Sequence, residues 1–241
     1  MSDPGAAVRL LRELKPALGD RLVGFELMSG FSLELSRKHH PALPDPLPGN
    51  PWYVLIQADD SATESPLGEL LQDALARAIE TGAASDATIA QSGEQAKDLW
   101  ALRENIAEAQ RREGPNIKHD ISLPVSMIPR FLDEAAAALV AAIPGVNFVT
   151  FGHLGDGNLH YNLAAPDGVD AEKFMANARL ANRIVHDLVT AHGGSISAEH
   201  GIGQLKREEL VHYKSAVEID LMRAIKASLD PAGTMNPGKV L

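Results

Sequence analysis

The chain has 241 residues, 45% of them hydrophobic, and a formal net charge of −10 at pH 7, so a substantial core is available in one large domain or two small ones. The negative charge argues against a nucleic-acid or anionic-membrane surface. The absence of cysteine excludes disulfides, thiolate metal sites and cysteine nucleophiles. No apolar stretch is long enough to span a bilayer and no secretory signal is recognisable, so we expect a cytoplasmic location.

Alternating strand and helix signals run through the first half of the chain. The predicted elements, in chain order, are a strand at Arg21–Met28, a proline-rich loop at His40–Pro51, a strand at Trp52–Ala58, a helix at Pro66–Glu80, a short strand at Ala87–Gln91 and a long helix at Glu94–Arg112. The pair Gly114-Pro115 ends the long helix, because proline cannot continue one.

The second half of the chain is more regular. Its predicted elements are a strand at Ile117–Leu123, a helix at Ser126–Ala142, strands at Val146–His153 and Asn158–Ala164, a helix at Ala171–Ala191, a strand at Ser195–Glu199, and terminal helices at Gln204–Tyr213 and Ala216–Leu229. The order up to Glu199 is βαββαβ, the ferredoxin-like split unit, and the first half repeats this theme in degraded form. We therefore expect an α+β fold, with an antiparallel sheet backed by helices in a duplicated ferredoxin-like arrangement.

The segment Phe151–Leu163, FGHLGDGNLHYNL, predicts a β-hairpin that brings two histidines together. Asp156-Gly157 is a strong signal for a two-residue turn, and that turn would place His153 directly opposite His160. Directly opposed residues have Cβ atoms roughly 4.5–5.5 Å apart, so the two imidazoles could bind one cation. A lone histidine is more often an ordinary hydrogen-bonded surface residue. Two in register, with a Glu-His pair later in the chain, favour a metal site.

The third ligand is expected from Ser195–Gly203, SISAEHGIG, where Glu199 ends the last predicted strand. Two histidines and a carboxylate form a recurrent zinc site with open positions, and a similar set binds iron(II). His200 follows directly. Because neighbouring residues of a strand point to opposite faces, we assign His200 as a general base, with a structural role as the alternative.

Two basic residues could bind a substrate carboxylate. Arg103 lies in the middle of a predicted helix, and Lys118 shares a strand face with Asp120 next to the predicted hairpin. A guanidinium can bind a carboxylate through two hydrogen bonds, whereas an ammonium acts as a point charge. From the pattern alone, a solvated surface charge is the more common interpretation of each residue.

Several segments together resemble one known family. GHLGDGNLH, SAEHGIG and LDPAGTMNPGKVL are similar to the C-terminal domain of FAD-linked oxidases of the vanillyl-alcohol-oxidase type. WALREN, IKHDISLPV and AEHGIG resemble the D-2-hydroxyglutarate and D-lactate dehydrogenase branch most closely. The resemblance extends over essentially the whole chain. It implies oxidation of a small 2-hydroxy acid to a 2-oxo acid, with FAD as the hydride acceptor.

The resemblance also implies roles for individual residues. His153, His160 and Glu199 correspond to the ligands of a divalent metal, usually zinc, and His200 to the base. The substrate contacts correspond to Arg103, Lys118 and Asn162. The sequence departs from the pattern at position 107, where alanine stands in place of the hydroxyl residue that some members carry. That departure bears on recognition of a distal carboxylate.

The same resemblance implies a partner domain. Family members bind FAD mainly through an N-terminal domain with glycine-rich diphosphate loops, and no G-x-G-x-x-G motif follows a predicted strand in this sequence. We therefore expect residues 1–241 to be the substrate- and metal-binding domain, either cut from a longer enzyme or one chain of a split enzyme. The FAD-binding domain would act in cis or in trans, and a homodimer is compatible with the sequence. Two other interpretations stay open: a stand-alone metallohydrolase with Glu199 as base, and a non-catalytic interaction module.

Overall fold

A computed structural model describes residues 1–62, 64–166 and 168–241. The strands of the described residues are β1 Leu22–Ser29, β2 Trp52–Ala58, β3 Asn116–Ile117, β4 Asp120–Ser122, β5 Asn147–His153 and β6 Asn158–Ala164. Their helices are α1 Pro4–Leu18, α2 Gly30–His39, α3 Leu67–Glu80, α4 Gly93–Glu104, α5 Ile106–Glu113, α6 Ile128–Ala142, α7 Ala171–Met175, α8 Ala178–Ala191, α9 Arg207–Tyr213 and α10 Ala216–Leu229.

The strands form one antiparallel sheet in the order β2-β1-β5-β6-β3, with β4 also paired to β6. An isolated bridge joins Ser195 to Ser122 of β4. The second half therefore has the strand order of a split βαββαβ unit, in which the bridge stands where a fourth strand would lie. The first half adds β1 and β2 to the same sheet. The predicted α+β class with an antiparallel sheet backed by helices is confirmed.

The two faces of the sheet carry separate apolar clusters. On one face, Leu159, Tyr161 and Leu163 of β6 pack in a large core with residues of α1, α3, α6 and α8. On the other face, Val149 and Phe151 of β5 pack with residues of α2, α4 and α5. The alternation along the predicted hairpin therefore assigns its apolar face correctly, and it leaves His153 and His160 on the side of α4 and α5.

Two helices in the first half were not predicted from the sequence. α1 begins after Asp3, whose carboxylate accepts a hydrogen bond from the backbone N–H of Ala6 at 2.8 Å. α2 begins after Ser29, whose hydroxyl accepts one from Ser32 at 3.2 Å. Both are N-cap signals. In α1 the residues around Leu14 are buried on one face of the helix. Apolar residues that recur with the helical period in this way identify an amphipathic helix.

The hairpin has a longer loop than predicted. Phe151, rather than His153, lies opposite His160, and the loop is the four residues Leu154–Gly157. The longer loop lets the side chain of Leu154 enter the core, where it is 1% exposed, and lets the N–H of Gly155 donate to Phe25 of β1. Because the register shifts by two residues, both histidines keep the predicted face.

Glycine is required at the end of this loop. The backbone of Gly157 has φ +85°, and a Cβ atom there would lie 2.1 Å from the carbonyl oxygen of Leu123. The carbonyl of Gly157 in turn accepts the N–H of Leu123 at 3.0 Å. This close approach ties the hairpin to the segment after β4.

Other predicted elements are shorter or interrupted. The predicted helix Glu94–Arg112 is divided at Asn105 into α4 and α5, and the helix Ala171–Ala191 is divided into α7 and α8. The predicted strand at Ala87–Gln91 is irregular, and the predicted strand Ser195–Glu199 pairs only at Ser195. Hydrogen bonds from its backbone to a buried side chain replace a strand ladder beyond that point.

Candidate functional site

A cavity of about 600 Å³ lies between α4, α5, the strands β4 and β6, and the segment after Ser197. Its lining includes most of the site residues predicted from the sequence, namely Arg103, Lys118, His160, Asn162, Glu199 and His200. A second, larger cavity of about 670 Å³ borders β2 and contains none of them in its lining. The chemistry-bearing side chains therefore gather at the first cavity.

Glu199 contacts both of the histidines that the sequence proposes as metal ligands. One carboxylate oxygen of Glu199 lies 3.3 Å from Nε2 of His153, and the other lies 3.5 Å from Nε2 of His160. The two histidines come from adjacent strands and Glu199 from the loop that faces them. The Glu199 carboxylate thus lies between two imidazole nitrogens, and these three groups are of the donor types found in many zinc sites.

A buried carboxylate lies behind His153. The side chain of Glu26, in β1, is 3% exposed, and its Oε1 accepts a hydrogen bond from Nδ1 of His153 at 2.5 Å. Its Oε2 accepts one from Nε of Arg103 at 2.8 Å. Register explains the first contact, because Glu26 is paired with His153 across β1 and β5.

A second buried carboxylate, that of Asp120, organises the loop that carries Glu199. Its Oδ2 accepts hydrogen bonds from three consecutive backbone N–H groups, those of Ala198 at 3.2 Å, Glu199 at 2.9 Å and His200 at 2.8 Å. Burial alone would raise the pKa of Asp120, but the hydrogen bonds from His200 and Glu199 outweigh it and lower that pKa. The carboxylate is therefore held ionised, and it fixes the loop to β4.

Asp120 also lies next to His160. Its Oδ1 has no hydrogen-bond partner among the described residues and lies 3.9 Å from Nδ1 of His160, which is paired with Asp120 across β4 and β6. Burial lowers the pKa of His160, which favours the neutral imidazole that binds metals. Among the described residues, Asp120, His160 and His200 are the group whose ligand atoms all lie within 4.8 Å of one another. This cluster shares only His160 with the predicted ligand set, and it places His200 beside the same site.

Glu199 and His200 do not lie on a strand, because the backbone there is a loop. The alternation of strand side chains therefore does not separate His200 from the proposed metal ligands. The ring of His200 stacks on that of His160 with centroids 5.7 Å apart, and its Nδ1 lies 3.7 Å from Asp120. With 64% of its side chain exposed, His200 is open to a substrate in the cavity.

The two basic residues differ in their surroundings. Arg103 is 11% exposed, is paired with Glu26 and has its guanidinium 4.7 Å from the centre of the Phe151 ring. Lys118 is exposed and lines the same cavity. The arginine is thus held in place by a carboxylate and an aromatic ring, whereas the lysine is a more exposed cation in the lining of the same cavity.

Asn162 is part of a buried chain of hydrogen bonds. Its Oδ1 accepts the backbone N–H of His119 at 3.0 Å, and its Nδ2 donates to Oε1 of Gln110 at 3.0 Å. The backbone donor fixes the orientation of both amides, and Nε2 of Gln110 is then buried with no partner in the part of the chain that the structure describes. Gln110 lines the cavity next to Asn162.

Sequence reasoning missed Glu26, Asp120 and Gln110 as site residues. A signal existed for Glu26, since it is a lone acid within the otherwise apolar strand LVGFELMS and is 2% exposed in the fold. A buried charged group requires a partner, so such a residue is a candidate for a functional contact. Asp120 was recognised only as a neighbour of Lys118 on one strand face.

Comparison with known families decides the relationship. Residues 1–240 match the family model described as "FAD linked oxidases, C-terminal domain". The chain belongs to this family. This FAD-linked oxidase C-terminal domain is 41% identical over 225 residues to a D-2-hydroxyglutarate dehydrogenase of Xanthomonas citri pv. viticola. The alignment covers 91% of this chain and 46% of the relative. It is 38% identical over 234 residues to the mitochondrial D-2-hydroxyglutarate dehydrogenase of Arabidopsis thaliana, which covers 97% of this chain and 40% of the relative.

The C-terminal domain thus spans less than half the length of these relatives. A solved structure of p-cresol methylhydroxylase with substrate bound aligns over 100% of this chain and 51% of its own, with a TM-score of 0.63 and 13% identity. At that identity the likeness shows the fold alone. Within the described residues, no helix is both long enough and apolar enough to cross a membrane.

The donor set of this FAD-linked oxidase domain fits a divalent metal. The two Nε2 atoms that meet the Glu199 carboxylate match the ligand types of zinc. The unpartnered buried oxygen of Asp120 beside His160 adds an acceptor that can orient that imidazole. Metal-binding histidines usually donate their other ring N–H to such a group.

Proposed function

We propose that residues 1–241 form the substrate- and metal-binding domain of a flavin-dependent D-2-hydroxyacid dehydrogenase. The observation that carries the proposal is the single cavity lined by Arg103, Lys118, His160, Glu199 and His200. It combines cations for a carboxylate, a histidine accessible for proton transfer and two of the three proposed metal ligands, His160 and Glu199. The relatives named as D-2-hydroxyglutarate dehydrogenases support the same reaction class.

The protein groups divide the work of binding a 2-hydroxy acid. Arg103 and Lys118, both in the lining of the cavity, attract the carboxylate groups of the substrate. His153, His160 and Glu199 would hold the divalent metal, which supplies a Lewis acid for the 2-hydroxyl and lowers its pKa. His200 accepts the hydroxyl proton on its imidazole, because its exposed side chain lines the cavity where the substrate would bind.

FAD supplies the electron acceptor when it is bound, and we assign its binding to a separate domain, in cis or in trans. The exposed surface at the cavity supports a covering partner. Leu205 lines the cavity and is 98% exposed. An apolar side chain in that position would be stabilised by burial against another domain.

The substrate class follows from the walls of the cavity and from the relatives. Ala107 lines the cavity beside Arg103 and offers no hydroxyl group. We favour D-2-hydroxyglutarate over D-lactate or glycolate, because the two cationic groups Arg103 and Lys118 in the lining suit a dicarboxylate. The metal is zinc in this proposal, and the location is the cytoplasm, although the plant relative is named as mitochondrial.

Binding measurements on the chain test this function. Zinc titration of the chelator-treated protein should give about one site per chain, lost in His153→Ala. The zinc-loaded chain should bind D-2-hydroxyglutarate more tightly than D-lactate, and Lys118→Ala should reduce that preference. Arg130→Ala, at an exposed arginine on α6, is the matched control. Absence of zinc binding, or equal affinity for both acids, would contradict the corresponding part of the proposal. Turnover of esters or amides without flavin would favour a metallohydrolase.

A further inference from the structure

Glu26 makes two contacts that no other described carboxylate of the site combines. One oxygen accepts from the proposed metal ligand His153 at 2.5 Å, and the other accepts from Arg103 at 2.8 Å. The carboxylate is 3% exposed, so water does not compete strongly for either bond. Each oxygen therefore serves a different functional side chain.

The first bond fixes the tautomer of His153. A carboxylate accepts and does not donate, so the hydrogen must lie on Nδ1 of His153. With this hydrogen on Nδ1, Nε2 is the ring atom left to present a lone pair, and it lies 3.3 Å from Glu199. That nitrogen is the one the proposed metal site requires, and the bond also sets the plane of the ring.

The second bond fixes the guanidinium. Arg103 donates through Nε to Glu26 and packs over the Phe151 ring. These contacts use Nε and the face of the guanidinium. The two terminal nitrogens of Arg103 make no hydrogen bond with the described residues. The charge of Glu26 also offsets the cost of burying the arginine near the metal ligands.

We propose that Glu26 is a positioning residue that couples the metal ligand His153 to the substrate-binding Arg103. It acts through both residues and touches neither substrate nor metal. The inference rests on the proposed function for the identity of the two groups that it links. Its physical content is that one buried carboxylate sets the tautomer of one side chain and the orientation of the other.

Two variants separate the charge from the hydrogen bonds. Glu26→Met keeps the length of the side chain and removes both acceptors. Glu26→Gln keeps an oxygen that can accept from His153 and removes the charge. Glu134→Met and Glu134→Gln are matched controls, because Glu134 bonds His192 at 2.7 Å outside the cavity. Circular dichroism and thermal unfolding establish that each variant folds.

The decisive readout is the tautomer of His153, measured by nitrogen-15 NMR on the chelator-treated chain. The wild-type ring should carry hydrogen on Nδ1, and Glu26→Met should convert it to a mixture with hydrogen on Nε2. Zinc affinity, measured by competition with a chromophoric chelator, should fall about 10–100-fold in Glu26→Met, the usual effect of losing such a partner. Glu26→Gln should keep the tautomer and lose less affinity, while both Glu134 variants should match wild type.

The outcomes distinguish this proposal from the proposed function. An unchanged His153 tautomer in Glu26→Met would overturn the positioning role, whatever the metal does. If the wild-type chain bound no zinc but the tautomer still changed, the metal assignment would fail and the positioning role would stand. If Glu26→Met did not fold, wild-type zinc affinity and wild-type D-2-hydroxyglutarate affinity in Glu26→Gln would overturn the proposal.

Discussion

Replacing Asp120 by asparagine should loosen the loop that carries Glu199 and His200. Three backbone N–H groups donate to one oxygen of this carboxylate, at 2.8, 2.9 and 3.2 Å. A hydrogen bond to a charged group contributes roughly 1.5–3 kcal/mol and a neutral one roughly 0.5–1.5. The three bonds share one acceptor, so we expect a loss of about 1.5–3 kcal/mol in local stability, which corresponds to amide exchange about 10–100-fold faster.

Hydrogen exchange of the amides of residues 198–200 measures this effect directly. The experiment uses chelator-treated protein, so that metal binding does not contribute. Asp230→Asn is the matched control, because Asp230 accepts from the N–H groups of Thr234 and Met235 in a similar turn near the C-terminus. That variant should speed exchange at residues 234–235 and leave residues 198–200 unchanged. Wild-type exchange at residues 198–200 in Asp120→Asn would refute the assignment of the carboxylate as the organiser of the loop.

Four further outcomes are expected. Wild-type protein should hold about one zinc ion per chain and His160→Ala should hold much less; equal metal content would remove His160 from the site. The purified chain should show no flavin absorption and should not oxidise D-lactate or D-2-hydroxyglutarate with dye acceptors; stoichiometric bound FAD would contradict the separate-domain proposal. In an enzyme that contains the flavin-binding part, His200→Ala should slow flavin reduction roughly 10²–10⁴-fold, with partial rescue at higher pH; loss of its metal content would reassign His200 as a ligand. Burial lowers the pKa of His119 from 6.5 to about 4 in the folded protein. As the pH falls from 6.5 to 4, the imidazole of His119 is therefore protonated in the unfolded chain but not in the folded one, and the free energy of unfolding decreases. Measured by urea denaturation, the free energy of unfolding of the wild-type protein should fall by about 3 kcal/mol more over that range than that of His119→Gln. The same pH dependence in both proteins would contradict this.

The predicted site residues came together because local patterns identify faces and ends of elements. Alternation in β6 assigned His160 and Asn162 to one face and Tyr161 to the other, as the structure has them. A two-residue error in the hairpin register did not change this result, since side chains alternate with a period of two. The fold class followed from the same alternation and from the order of the elements.

The partners of these residues could not be predicted in the same way. Glu26 lies 127 residues before His153 in the chain, and its contact depends on the pairing of β1 with β5. No local periodicity specifies which strands become neighbours in a sheet. The loop at Glu199 has the same origin, because a side chain from β4 replaces the expected strand ladder. Long-range pairing therefore decided what sequence patterns left open.

The elements that carry the site suggest which part of it can move. Glu26, Asp120, His153 and His160 all lie on strands of one sheet, and the side chains behind the imidazoles are buried. Glu199 alone among the proposed ligands comes from a loop, and that loop is tied to the sheet through Asp120. Groups on strands are held more precisely than groups on loops. The two imidazoles should therefore keep their orientation with or without metal, and the carboxylate of Glu199 is the ligand whose position should respond to metal binding.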